Sequence, residues 1–374
     1  MMQSWYLRGC LLIGLCSSFA VAEESPAKPT RTDIGNTPWV YAPSGGNEKV
    51  IYGDDDRIDV YAEADARHKV WAASTCALIS TSLLTAHTDG SYTLSPNSFT
   101  KFGLPPCVSE PFRTQPVAPF CTGFMVASDL IVTAGHCFDS SDILNVRFVF
   151  GYEMLDSDTP RLTFEANRVY SAVEVVSQVP SGDLDHCLVR VDRPITAPGA
   201  QPFIIRRSGT IATGESIGVI GHPSGLPLKI AFGADTVVRS SSAGGYFTAN
   251  TDTYGGNSGS PIINTTTGIL EGILVRGGTD YIDNGACFSS VIQSNTGGSG
   301  EAATKASVFM SLVPDQFSTT GAITTDKAAY KDGDSATITL TDASLVGTGQ
   351  TSITLTTVQG DHEILALTEN AVTQ

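Results

Sequence analysis

Basic residues are scarce in this chain: 22 Lys and Arg stand against 38 Asp and Glu in 374 residues, for a formal net charge of -16. Nucleic acids and anionic membrane surfaces both reward basic patches, so the deficit argues against either as a partner. A sustained 3.6-residue apolar period is also missing. Short Val, Ile, Leu and Thr runs alternate instead with Gly, Pro, Asn and Asp clusters, which points away from a helical bundle and toward mainly β-structure. The apolar run from Leu11 to Phe19 is too short to serve as a membrane anchor. With Arg8 before it and Ala20-Val21-Ala22 after it, it reads as a secretory signal cleaved after Ala22. Cysteine is limited to 8 residues, of which Cys10 and Cys16 fall in that segment. The remainder sit in an exported protein, where disulfides are favoured over thiols.

Against this background one stretch stands out. In Gly255-Gly256-Asn257-Ser258-Gly259-Ser260-Pro261, glycines crowd around a serine, as they would where a bent backbone exposes a hydroxyl. A serine is a poor nucleophile at neutral pH and needs a general base and a group to orient that base. His136 ends the apolar run Ile131-Val132-Thr133-Ala134-Gly135-His136, and Asp185 opens the strand-like Asp185-His186-Cys187-Leu188-Val189-Arg190-Val191-Asp192. Gly-Ser stretches are also ordinary solvated turns, and Asp183 and Asp192 compete with Asp185 for the acid's role. His186 and His222 read as structural. Cys137, beside His136, invites a metal reading, but no second Cys/His pair stands at zinc spacing. Neither a metal nor a cofactor is expected.

The order His, Asp, Ser differs from the subtilisin and α/β-hydrolase orders. Together with TAGHC, DHCLVRVD and GNSGSP it resembles the trypsin and chymotrypsin superfamily over roughly Trp71 to Val313, and GNSGSP resembles bacterial glutamyl endopeptidases. The resemblance implies an all-β fold of two antiparallel β-barrels with the site between them. It also implies a serine endopeptidase acting on protein or peptide substrates through His136, Asp185 and Ser258, an oxyanion hole at the N–H groups of Gly256 and Ser258, and a Cys121–Cys137 disulfide. The other four cysteines admit three pairings, with Cys76–Cys107 suggested only by proximity. An esterase on the same triad, or a catalytically silent fold that binds or adheres, are the competing readings.

Specificity divides. Thr253, five residues before Ser258, matches a threonine that helps bind glutamate in glutamyl endopeptidases, but the pocket histidine of that group is missing from Gly272-Ile273-Leu274-Val275-Arg276-Gly277-Gly278. Arg276, with Val275 and Gly277 beside it, offers a substitute positive charge. Asp252 falls at the trypsin-like pocket base and would favour Lys or Arg. Acidic preference is the first expectation, an apolar or broad preference the second and a basic one the third.

Around the peptidase region the chain divides into a signal (1–22), a polar leader or prosegment (23–69) with processing near Arg67 or Lys69, and the peptidase domain at 70–315. Barrel one runs over about 70–193 and barrel two over about 199–315. Residues 316–374, with period-two stretches, read as a small β-sandwich-like, Ig-like module, and Asp332-Gly333-Asp334 within it reads as a turn rather than a calcium loop. The expected location is extracellular or periplasmic, and nothing in the sequence specifies an oligomeric state.

Overall fold

The computed structural model describes residues 50–241, 244–314, 322–325, 338–341, 350–356 and 362–368. The signal segment and the Asp332-Gly333-Asp334 turn lie outside these residues. Ile51–Tyr52 (β1) and Arg57–Asp59 (β2) come first, followed by a short helix, Ala66–Ala73 (α1), whose first turn is capped where Asp65 accepts from the Arg67 N–H at 2.8 Å. Thr75–Ser80 (β3) is buried along its whole length, and Leu84–Ala86 (β4), Tyr92–Leu94 (β5) and Thr163–Phe164 (β9) form a small outlying sheet. Cys121–Ala127 (β6), Leu130–Thr133 (β7), Val146–Phe150 (β8), Val169–Val179 (β10) and His186–Val191 (β11) join β3 in a closed barrel of order β10-β11-β7-β6-β3-β8. Phe124, Ile131, Val132, Leu188 and Val189 belong to the buried core packed within and around it.

Residues 192–216 carry the chain to the second barrel, and the stretch read as a linker is itself packed, since Ile195 and Ala197 join the core. Ile217–Gly221 (β12), Lys229–Ala231 (β13), Val238–Ser240 (β14), Tyr246–Ala249 (β15), Pro261–Asn264 (β16) and Leu270–Arg276 (β17) then follow. A side hairpin of Tyr281–Asp283 (β18) and Phe288–Ser290 (β19), a short Ile292–Gln293 (β20), and Glu301–Lys305 (β21) complete the set. The main sheet runs β14-β15-β21-β17-β16-β12-β13-β2, an open half-barrel around Ile217, Val219, Phe247, Ile262, Leu274 and Ala303. Among the described residues the fold is thus all-β with little helix, a closed barrel followed by an open half-barrel.

Two features differ from the sequence reading. Residues 50–69, read as leader, are part of the fold: β1 pairs in parallel with β20, and β2 closes the edge of the second barrel with Asp59 opposite Lys229. There the Lys229 ammonium donates to Asp59 Oδ1 at 2.6 Å and Gln115 Oε1 at 2.8 Å in a buried cluster. Such a pair is costly to break because removing one partner strands the other charge in a dry site. Arg67 and Lys69, read as the processing point, lie within α1, which docks on the second barrel by stacking His68 and Trp71 against Phe232 at ring distances of 4.1 and 5.8 Å. Cleavage there would cut β1 and β2 off from the rest of the chain whose strands they pair with.

The second difference is covalent. Cys107 pairs with Cys287, not with Cys76, while Cys121 pairs with Cys137. Cys76 and Cys187 are buried thiols inside the first barrel, and burial pushes the Cys187 thiol up to about 12. They take no part in thiolate chemistry there. Toward the C-terminus, Ala322–Thr325 (β22) pairs with Ile338–Thr341 (β23) and Gln350–Thr356 (β24) with His362–Thr368 (β25). The period-two stretches are therefore strands. Among the described residues they make two separate ribbons rather than a sandwich. No helix among the described residues is long and apolar enough to cross a membrane.

Candidate active site

The site is assembled from the ends of β7 and β11 in the first barrel and the loop between β15 and β16 in the second. Leu130–Thr133 is buried throughout because its neighbours β6 and β11 cover both edges. It delivers Gly135 and His136 into a tight turn against the start of β11. A Cβ on Gly135 would lie 1.9 Å from the Val179 carbonyl oxygen, so only glycine lets β10 and β11 close over this turn. Asp185, at the head of β11, then points its carboxylate back: Oδ1 accepts from Gly135 N at 2.6 Å, and Oδ2 lies 2.8 Å from His136 Nδ1. A carboxylate can only accept, so Nδ1 carries the proton and Nε2 presents its lone pair. From the other barrel, the Thr304 hydroxyl of β21 donates to the Asp185 carbonyl at 2.8 Å.

The two competing aspartates are engaged elsewhere. Asp183 lies 3.1 Å from Arg276, and Asp192 holds Arg193 at 2.9 Å. His186 is buried, with Nδ1 2.6 Å from the Leu184 carbonyl. His222 is buried against Tyr152, its Nδ1–H donating to Leu226 O at 3.0 Å, and burial drives its pKa down to about 3. It is therefore a neutral structural ring.

Ser258 is 9% exposed, on a loop pinned between the barrels. Thr122 N donates to the Ser258 carbonyl at 2.8 Å, and the Cys137 sulfur lies 3.7 Å from the same oxygen, so the residue following His136 touches the backbone of the serine. Gly259 has φ +90°, and a Cβ there would lie 1.9 Å from the Thr122 carbonyl oxygen. Glycine is what allows this close approach. Gly256 has φ +97°. The carbonyl of the preceding Gly255 accepts from Ser224 N at 2.6 Å, and the carbonyl of Gly256 accepts from the Thr122 hydroxyl at 2.9 Å. Because a trans peptide sets its C=O and N–H on opposite sides, tying down the Gly255 oxygen turns the Gly256 N–H the other way. Thr122 and Ser224 carry no motif signal, and the sequence reading did not include them.

Cys121, His136 and Cys137 lie close enough together to suggest a metal site. The two sulfurs are bonded to each other, and a disulfide is not a thiolate donor set.

The residues read as substrate-binding do not all come together. Asp252 is 2% exposed, and both of its oxygens are spent on the N-terminal strands: Oδ1 accepts from Tyr52 N and Oδ2 from Asp56 N, each at 2.8 Å. It clamps the chain and is not a pocket base. Burial, opposed by those two hydrogen bonds and assisted by the charges of Asp55 and Asp56, pushes its carboxyl up to about 7. Arg276 is likewise turned outward, donating to Gly182 O at 2.6 Å and lying over the Tyr246 ring. It does not supply the positive charge that an acidic preference requires. Thr253 and Val275 are buried, and Gly277 is half-buried. The Thr253 hydroxyl donates at 3.1 Å to Glu301, a residue the sequence reading missed.

Residues 121–273 match the family model of the trypsin-like peptidase domain. No curated protein matches the chain. Among solved structures, one of a Glu endopeptidase in complex with MPD aligns at 19% identity and a TM-score of 0.38, over 69% of this chain and 94% of that one. His136, Asp185 and Ser258 all fall inside the span of this chain, residues 121–273, that is similar to the trypsin-like peptidase domain.

Proposed function

We propose that the chain is an exported serine endopeptidase that cuts peptide bonds through an acyl-enzyme on Ser258. The observation that carries this reading is the Asp185 carboxylate fixing the His136 tautomer at 2.8 Å while the turn bearing His136 packs on the backbone of Ser258. Ser258 Oγ attacks the scissile carbonyl carbon and its proton passes to His136 Nε2. His136 returns that proton to the leaving amine as the C–N bond breaks. Water then repeats the sequence to release the acid, and Asp185 stabilises the imidazolium at each stage.

The oxyanion that develops on the substrate is met by the N–H groups of Gly256 and Ser258. Ser224 and Thr122 hold the flanking carbonyls so that these donors need no reorganisation during the reaction. A single such donor is typically worth ~10²–10³ in rate. The Cys107–Cys287 and Cys121–Cys137 bridges support export to an oxidising compartment, in keeping with the signal read at residues 1–22.

A fluorophosphonate probe tests the reading. It is expected to label the wild-type protein at Ser258 and to leave Ser258→Ala unlabelled, with peptide turnover lost in the variant. Unlabelled wild-type protein would identify a silent scaffold. Turnover of esters without turnover of peptides would identify an esterase.

A further inference from the structure

We infer that Tyr281 is a positioning residue for the reaction: acting through Ser224, it locks the Gly255–Gly256 peptide in the orientation that presents the Gly256 N–H to the developing oxyanion. The inference rests on the peptidase reading above. The peptide concerned has a glycine on each side, so no Cβ resists its rotation. Turned over, it would offer the Gly255 carbonyl, an acceptor, where a donor is needed. The restraint must come from outside the loop.

Both polar groups of Gly255 are held from the start of β18. The Gly255 N–H donates to Asp280 Oδ2 at 2.8 Å. Its carbonyl accepts from Ser224 N at 2.6 Å, and the Ser224 hydroxyl lies 2.7 Å from the hydroxyl of Tyr281, the residue that follows Asp280 and opens β18. Ser224 sits at φ 55° and ψ 18°, a left-handed conformation that costs any residue with a Cβ and persists where its surroundings over-determine it. The hydroxyl pair supplies that restraint at the side chain. On the backbone, Gly225 N donates to His222 O at 3.0 Å and Ala118 N donates to Gly225 O at 2.9 Å. Gly256 is seated directly on this turn, since a Cβ there would lie 2.5 Å from His222 O and 3.2 Å from Ser224 N. A shift of Ser224 therefore reaches the oxyanion-hole peptide at once.

Tyr281 is itself fixed. It is 4% exposed, with its ring 4.6 Å from that of Tyr254, the residue before Gly255, and 4.9 Å from that of Phe288 in an edge-on contact. Phe288 follows Cys287, whose bridge to Cys107 ties the hairpin of β18 and β19 to the segment before β6. The ring packing asks only for an aromatic side chain, and phenylalanine would fill the same space. The hydroxyl is the part of the residue that reaches the catalytic loop, so its removal separates positioning from packing.

The test compares wild type with Tyr281→Phe in the exported full chain, with active sites counted by fluorophosphonate labelling carried to completion. The substrate is the best-cleaved member of a fluorogenic peptide library, and the probes are the aldehyde of the same peptide, whose adduct with Ser258 places an oxyanion in the hole, and its acid product. Tyr281→Phe is expected to lower kcat by about 3- to 10-fold, the usual worth of one hydrogen bond, with KM little changed. Binding of the aldehyde should weaken by the same factor while inhibition by the acid product stays as in wild type. Ser224→Gly, which removes the partner hydroxyl yet accepts the left-handed backbone, should show the same pattern, and the double variant should lose no more than the worse single one. Should Tyr281→Phe fail to fold, Ser224→Gly decides by the same ratios. A titratable Tyr281→Phe with the kcat of wild type, or one whose kcat falls with aldehyde binding unchanged, overturns the inference and leaves the peptidase reading standing. A wild-type protein with no titratable serine overturns both.

Discussion

At Asp185 one carboxylate holds both the backbone of the histidine turn and the histidine ring, through Gly135 N and His136 Nδ1. Asp185→Asn is close in shape but brings a donor where an acceptor is needed, so the ring settles in the tautomer that points Nε2–H at the serine. A loss of about 10⁴-fold in kcat is expected with KM little changed. A steady-state measurement on properly folded variant checks this, and a loss confined to KM would show that Asp185 acts only in binding. His136, Asp185 and Ser258 were legible from sequence because each is announced by its own neighbours: an apolar strand ending in small residues, a second strand, and a cluster of glycines. Asp252 and Arg276 were misread for the complementary reason. Spacing from Ser258 places an α-carbon near the pocket, but whether the side chain turns inward depends on partners such as Tyr52, Asp56 and Gly182 that are distant in sequence.

The N-terminal strands show the same limit at the level of elements. β1 and β2 are two and three residues long, too short for an alternating pattern to emerge, and their partners lie in β20 and β13, more than 150 residues away. Only the pairing reveals that β2 closes the edge of the second barrel and that β1 lies against β20. Asp252 is the clasp of this arrangement, and its titration has a sign. Its carboxyl rises from the ordinary aspartate value of 3.8 to about 7 in the fold, so the folded state holds the proton more tightly than the unfolded chain. The resulting stability is fully present below the unfolded value and is lost as pH rises through the folded one. Melting temperature is therefore expected to fall more steeply in wild type than in Asp252→Asn between about pH 4 and about pH 7. Parallel curves for the two proteins would show that Asp252 is ionised in the fold across that range.

Across the whole molecule, the two bridges act on very different lengths of chain. Cys121–Cys137 closes 16 residues around the histidine turn, whereas Cys107–Cys287 closes 180 and ties the segment before β6 to the hairpin of β18 and β19. Loop-closure entropy gives about 3 kcal/mol for the first and about 5 kcal/mol for the second. Peptide mapping without reductant should recover Cys107 linked to Cys287, and Cys76 and Cys187 should react with alkylating agent only after unfolding. A Cys76–Cys107 peptide would contradict the structure. The short bridge was legible because its residues flank a recognisable motif. The long one was not, since nothing in the sequence near Cys107 records the distant hairpin it meets.

The pairing of β2 with β13 also bears on how the protein is made. Arg57, Ile58 and Asp59 leave the ribosome long before Ala231, Ile230 and Lys229, the residues they face, so a strand made early has no partner until a much later one is made. Until then the Asp59 carboxylate lacks its ammonium partner and the second barrel has a bare edge. A chain interrupted anywhere before Lys229 has no seat for its own beginning. The sheet of the second barrel thus stays open at this edge until Lys229 has been made.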